Sequence, residues 1–351
     1  MSLNKTIGIL GGGQLAKMLA IAAANLGFNI NIYCPDRDCP AAQVANKVIF
    51  GNYDDSENLV AFAKNVDILT YEFENIDTKA LEELDQQVEI RPSIKALKIS
   101  QDRYTEKSYL NSLGIKTTQF YKIDSVADIE KLLNRLKKPI LIKTRRLGYD
   151  GKGQVLIKNQ DDINQHFLGK SLAPSITEEV ISFDRELSVI IVRDKKGNIK
   201  AFEPGENVHE HGILLTTTLP TSTSEVLKNN ATIIAKKIVD DLGYIGVMGV
   251  EFFLKGQELY VNEIAPRVHN SGHWTMDGSY SSQFQQHIRA IMDLPLLSTE
   301  RHSDVIMYNL IGTVTSNLVN NELAKVYIYG KKDVLPGRKM GHVNLIKKKG
   351  S

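Results

Sequence analysis

A short apolar run that ends in consecutive glycines and passes directly into a helix permits few folds. Residues 5–12, KTIGILGG, form such a run, and QLAKMLAIAAANLG, closed by Gly27, supplies the helix. NINIYCPD, KVIFGNYDD and VDILTYEFENI repeat the apolar run, with SENLVAFAKN and TKALEELDQ helical beside them. Strands alternating with helices predict a parallel, doubly wound sheet over roughly residues 1–95. A further helical stretch, SIKALKISQDRYTEKSYLNSLG, ends at Gly114.

Beyond it the texture changes. PILIKT, QVLIK, SITEEVI, ELSVIIVRD and IKAFEP are β-rich and separated by glycine turns. TSEVLKNNATIIAKKIVDDLG is an amphipathic helix. YIGVMGVEFFL and ELYVNEIAP read as a hairpin about the turn KGQ, and the tail segments VIMYNLIG and KVYIYGKK are strand-like again.

Bulk properties exclude several classes. The 351 residues carry a net charge of +2, too balanced for a nucleic-acid coat or a membrane surface. No apolar run approaches the ~18 residues of a membrane span, and no signal-peptide pattern opens the chain. Cys34 and Cys39 are too few and too close for a disulfide framework. Reduced thiols and a cytoplasmic setting are expected.

The first glycine loop raises a question about nucleotides. Gly11, Gly13 and Ala16 match the G-x-G-x-x-G/A spacing that cradles a dinucleotide pyrophosphate. Such a domain also needs an acidic residue at the end of the second strand. Asp36 is slightly late and sits behind Pro35, which argues against an NAD(P) oxidoreductase. Gln14 and Leu15 open the helix, and the Gln14 amide can face a ligand. Glu72 and Asn75, in TYEFENI, end a later strand and face the same crevice, or are solvated loop residues.

A second loop says more. In LIKTRRLGYDGKGQVLI an apolar strand delivers Lys143, a loop with Gly148, Gly151 and Gly153 follows, and another strand begins. This is no Walker loop, because it lacks G-K-[S/T] and runs strand–loop–strand. Glycines in such a hairpin bring backbone N–H groups close to phosphate oxygens, and Lys143 is a point charge for them. The alternative is a flexible hairpin with surface lysines. Glu251 lies in one strand of the later hairpin, and Asn262 and Glu263 lie nearly opposite in the next. Carboxylates in apolar strands are costly unless paired or bound to cations. Two that leave room for substrate phosphates suit Mg²⁺, so the lysine, flap and hairpin together point to Mg-ATP.

GGGQLAKM, KTRRLGYDGKGQ and NEIAPRVHNSGHWT resemble the ATP-grasp superfamily and, within it, the carboxyaminoimidazole ribonucleotide synthases of purine biosynthesis. The resemblance runs from residue 5 to about residue 346. It implies an α/β chain of three parts: a Rossmann-like parallel-sheet domain (1–95), central α+β ATP-grasp subdomains (96–295) and a small C-terminal β-rich domain (296–351). The central part divides into a lid at about 115–180 and a larger subdomain at about 181–295. The N-terminal domain then holds acceptor substrate and no NAD.

The resemblance also implies roles. ATP contacts fall on Arg103, Lys143, the flap (Gly148, Tyr149, Asp150, Gly151, Lys152, Gly153, Gln154), the hinge strand (Glu178, Glu179, Val180, Ile181), Glu186, His209, Asn262 and Glu263. Glu251 and Glu263 are implied metal ligands. Arg267, His269, Asn270 and Ser271 form an anion-binding loop beside the γ-phosphate, and Tyr149, Asp150 and Lys152 also reach the ribonucleotide. Lys331, or its neighbour Lys332, and Arg338 clamp the acceptor's 5′-phosphate. Lys107, one helical turn beyond Arg103, shares that residue's role. Asp150 or His269 takes the amine proton. His273, Trp274 and His342 read as packing.

The implied reaction joins ATP, bicarbonate and 5-aminoimidazole ribonucleotide through carboxyphosphate, with Lys143 and Arg267 stabilising charge, in a homodimer. Rivals are a formate-dependent glycinamide ribonucleotide transformylase, an NAD(P) oxidoreductase and a non-catalytic nucleotide-binding regulator.

Overall fold

The computed structural model describes residues 4–148, 153–167, 172–312 and 317–348. The first sheet comprises β1 (Thr6–Leu10), β2 (Asn29–Cys34), β3 (Lys47–Phe50) and β4 (Ile68–Tyr71), parallel in the order β3-β2-β1-β4. Its connections carry α1 (Gln14–Ala24) and α2 (Ser56–Ala63), and α3 (Thr78–Asp85) follows β4. Ile7, Ile9, Ile30 and Ile32 are buried beneath Leu15, Ala16, Leu19 and Ala23 of α1, as the apolar runs predict. The helical stretch read as one piece is two, α4 (Ile94–Ser100) and α5 (Arg103–Ser112). Asp102 breaks it. Its carboxylate accepts the Tyr104 and Thr105 N–H groups and so starts a new helix.

The lid is a four-stranded antiparallel sheet, β5 (Phe120–Ile123), β8 (Ser175–Glu179), β6 (Ile140–Thr144) and β7 (Gln154–Ile157), in that spatial order. α6 (Val126–Leu136) and α7 (Gln160–Phe167) cover one face through Ile129, Leu132 and Ile163. A reciprocal Ser125–Asp128 cap starts α6.

The body is a nine-stranded sheet. β9 (Arg185–Arg193) pairs with the short β10 (Ile199–Ala201), with β11 (Gly205–Glu210) and with β13 (Gly246–Lys255). β12 (Ile213–Leu219) follows β11, and β14 (Glu258–Ala265) closes the edge beside β13. α8 (Glu225–Asp241) places Leu227, Ala231, Ala235 and Ile238 on one stripe against Val189, Ile191, Met248 and Val250. A single turn, α9 (Thr275–Gly278), precedes α10 (Gln283–Ile291), whose Phe284 and Ile288 join the α1 core. The last strands, β15 (Ser303–Ile311), β16 (Ala324–Ile328) and β17 (Lys339–Lys348), extend this same sheet in the order β12-β15-β17-β16.

Candidate active site

The carboxyl ends of the parallel strands, the lid and one face of the body enclose a cleft of about 960 Å³. Antiparallel register fixes much of its floor. Glu251 on β13 faces Glu263 on β14, and Ser188 on β9 faces Glu251 from the other side. Opposed residues share a face and so do residues two apart on a strand, so Glu186 and Phe253 join them. Three β-bulges then re-aim side chains at the rim. One leaves Asn262 unpaired between Glu263 and Val261, one shifts register at His209, and one separates the pairs Leu310–Gly341 and Ile311–Lys339. Asn262, His209 and Lys339 all line the cleft.

Glu263 binds the Arg103 guanidinium at 3.1 Å. Arg103 is the first residue of α5 and also donates to the Gly148 carbonyl at 3.3 Å. Burial raises the Glu263 carboxyl, but the Arg103 and Lys143 cations outweigh it and leave it below its ordinary range. Glu251 goes the other way: burial first, then repulsion from Glu263, holds its carboxyl up. Its nearest partners are His269 Nε2 and Asn262 Nδ2, both at 3.4 Å. His269 brings no charge, because burial and Arg267 push it down to about 3. Its Nδ1 accepts the Ser271 N–H, which puts the proton on Nε2. Among the described residues Glu251 thus has no lysine or arginine partner. Two facing carboxylates, one lacking a cation, fit Mg²⁺, which takes hard oxygen donors and leaves positions for phosphate oxygens.

Other sequence-predicted residues gather around this pair. Glu186 and His209 hydrogen-bond each other through Oε2 and Nδ1, and despite burial that bond raises His209. Lys143 is the last residue but one of β6, opposite Gln154 and 3.0 Å from Glu178. Gly153 has φ +74° and a Cβ there would lie 2.6 Å from Thr144 Oγ1, so this position needs glycine. The Glu178 side chain is buried beneath the lysines. Glu179 pairs with Lys138, and Val180 is half-exposed where β8 of the lid passes through Ile181 towards β9 of the body. Tyr149, Asp150, Gly151 and Lys152 lie outside the described residues.

Gln14, Leu15, Asn75, Arg267, His269 and Asn270 line the same cleft. Glu74 grips Arg267 through both carboxylate oxygens, at 3.0 and 3.1 Å. Ser271 is buried behind His269. Glu72 accepts the Gly13 and Ala16 N–H groups, the donors a dinucleotide pyrophosphate would take. A Cβ on Gly11, where φ is +113°, would sit 2.3 Å from Glu72 Cγ. The glycines therefore admit an internal carboxylate. Lys339 lines the cleft, but Lys331 and Arg338 are not among its lining residues. Lys331 Nζ donates to the Lys339 carbonyl at 2.8 Å, Arg338 donates to the Asp333 carbonyl at 3.0 Å, and Lys332 turns outward to Asp38. Cys34 and Cys39 are buried free thiols.

Comparison with known proteins follows the same division. Residues 4–101 match the ribonucleotide synthetase preATP-grasp domain, 108–284 the ATP-grasp domain, and 305–351 the phosphoribosylaminoimidazole carboxylase C-terminal domain. An N5-carboxyaminoimidazole ribonucleotide synthase of Brucella melitensis is 46% identical over 98% of this chain and 97% of its own. The chain belongs to the N5-carboxyaminoimidazole ribonucleotide synthase family. The Bacillus subtilis synthase is 40% identical, with 97% and 91% covered. The solved Aspergillus clavatus synthase, in complex with ADP and 5-aminoimidazole ribonucleotide, superposes with a TM-score of 0.92 at 32% identity, covering 99% of this chain and 95% of that one. The Staphylococcus aureus synthase with ADP gives 0.93 at 35%, covering 99% and 96%.

Four lining residues of this synthase-family cleft, Glu74, Glu106, Arg145 and Lys339, are not legible in the sequence. Glu106 accepts the Ile264 N–H at 2.7 Å, and burial with Glu263 nearby pushes its carboxyl up to about 8. Arg145 clamps Asp102 at 2.7 Å, and its guanidinium lies over Tyr104. None of the four belongs to a linear motif that names its partner.

Proposed function

We propose that this chain carboxylates the exocyclic amine of 5-aminoimidazole ribonucleotide, using ATP and bicarbonate and releasing ADP and phosphate. A bicarbonate oxygen attacks the γ-phosphorus, the bond to the ADP oxygen breaks, and carboxyphosphate forms. The amine nitrogen then attacks its carbon, or the CO₂ it releases, and phosphate leaves with its C–O bond electrons. Phosphoryl transfer of this kind needs alignment and charge neutralisation more than covalent help.

The observation that carries the reading is one cleft holding both halves of the chemistry. The facing Glu251–Glu263 pair and Lys143 line it, and the Arg267–His269–Asn270 loop lines it beside them, with His269 Nε2 3.4 Å from Glu251. Glu251 and Glu263 would hold Mg²⁺, which neutralises phosphate charge when bound. Lys143 meets the phosphates. Arg267, held rigid by Glu74, presents positive charge to bicarbonate. His269 offers an Nε2–H donor, and its Nδ1 lone pair is engaged by Ser271. Lys331 and Arg338 take the acceptor's 5′-phosphate.

The test is product analysis with labelled one-carbon donors. Incubation with Mg-ATP and 5-aminoimidazole ribonucleotide should place label from bicarbonate, not formate, on the amine. Label from formate on glycinamide ribonucleotide, when that acceptor is supplied instead, would contradict the reading.

A further inference from the structure

Lys107 sits behind the nucleotide end of the cleft, with 1% of its side chain exposed, and the proposed reaction does not use it. The sequence reading gave it a share in Arg103's role, but the structure separates the two. Arg103 turns to Glu263 and Gly148. Lys107 donates to the Asn262 carbonyl at 3.1 Å and the Thr118 hydroxyl at 3.4 Å, and its ammonium lies 3.3 Å from Glu178 Oε2. The other oxygen, Oε1, is 3.0 Å from Lys143. Register explains that second contact. Glu178 on β8 faces Leu141 on β6, and Lys143 is two residues further along the same face. Two buried lysines from α5 and β6 thus share one buried carboxylate from β8.

Stability alone gives little reason for such a triad, since apolar residues of similar volume often serve as well as a buried ion network. Charge counting gives a reason. Two ammonium groups on one carboxylate leave one positive charge over, beside the phosphate end of the cleft. With Lys107 absent, Glu178 and Lys143 would form a closed neutral pair. We infer that Lys107 is a positioning residue for Lys143: it takes a share of Glu178, which leaves the Lys143 ammonium free for phosphate. Its bond to the Asn262 carbonyl ties that charge to the strand carrying Glu263. The inference rests on the ATP reading of this cleft.

The test uses the full chain and a non-hydrolysable Mg-ATP analogue, with binding measured by calorimetry. Lys107→Gln keeps an N–H donor for Asn262 and removes the charge. It should weaken nucleotide binding about tenfold or more, a loss of at least about one decade in Kd, and leave the acceptor KM unchanged. Adding Glu178→Gln should bind the nucleotide at least about threefold more tightly than Lys107→Gln alone, because Lys143 is then released. A merely structural role predicts the reverse, since the double variant has lost the whole buried network. Wild-type Kd in Lys107→Gln, or a double variant no better than the single, would overturn the inference. If Lys107→Gln does not fold, Lys107→Arg carries the test. Retained charge should hold the Kd within about twofold of wild type, and a tenfold loss in folded protein would overturn the inference. Failure of the carboxylation reading registers separately, as wild-type protein that binds the nucleotide and makes no carboxylated product.

Discussion

The Glu72 carboxylate, at the end of β4, accepts the Gly13 N–H at 2.6 Å and the Ala16 N–H at 3.2 Å. The start of a helix leaves backbone donors without intrahelical partners. In a dinucleotide-binding domain the pyrophosphate fills them, and here a carboxylate 59 positions along the chain from Gly13 does so. Glu72→Ala should therefore destabilise the N-terminal sheet by about 1–3 kcal/mol, the cost of leaving buried donors unmade. Urea unfolding checks this, and an unchanged midpoint would show that the contact contributes nothing.

Glu263→Gln should leave the fold intact and lower turnover by two or more decades. The substitution removes charge from the pair that would hold Mg²⁺, and each 1.4 kcal/mol of lost transition-state stabilisation is about tenfold in rate. The measurement is ADP production against Mg²⁺ concentration. Near-normal turnover by a folded variant would remove the metal assignment.

Arg338→Ala should raise the KM for aminoimidazole ribonucleotide about ten- to hundredfold, since a hydrogen bond to a charged group contributes roughly 1.5–3 kcal/mol. Lys331→Ala should act in the same direction, and the pair should be non-additive if both grip one phosphate. Nucleotide affinity without acceptor should hold. A loss confined to nucleotide affinity would remove the clamp assignment.

Acid should unfold the protein early. Burial pushes His269, His287 and His342 down to about 3, and His273 down as well. His287 is held neutral between the Thr70 hydroxyl and the Val247 N–H, where the parallel-sheet domain meets the body. An imidazole lowered on folding contributes stability that is complete above its unfolded value near 6.5. It loses about 1.4 kcal/mol per pH unit as pH falls from there towards 3. Glu106, raised to about 8, Glu251, raised to about 7, and Glu72, raised by burial, work oppositely above about 4.5, which leaves four imidazoles against three carboxyls there and the imidazoles unopposed by them below it. Stability measured by denaturation should fall from pH 6.5 to 4.5, with proton uptake on unfolding. A flat profile would contradict the buried neutral imidazoles.

Legibility in the sequence followed locality. The βα alternation, the α8 stripe and the Glu251–Glu263 hairpin each lie within one periodic segment or across one short turn, and each is present as read. The break at Asp102 was missed because the apolar spacing continues across it, and only the cap reveals two helices. Glu72 was placed at the crevice, but its partner in the glycine loop is invisible to spacing. The same holds for Glu74 with Arg267, 193 positions apart, and for Lys107 with Asn262, 155 apart. The bulges at Asn262 and His209 are features of strand pairing, so neither strand alone signals them.

The most direct test of the central claim is ADP release by the wild-type protein with Mg-ATP and bicarbonate, with and without 5-aminoimidazole ribonucleotide. The account predicts that full turnover needs both co-substrates and yields one carboxylated product per ADP. ADP release that ignores bicarbonate, or that proceeds with acceptor present and no carboxylated product, would contradict it.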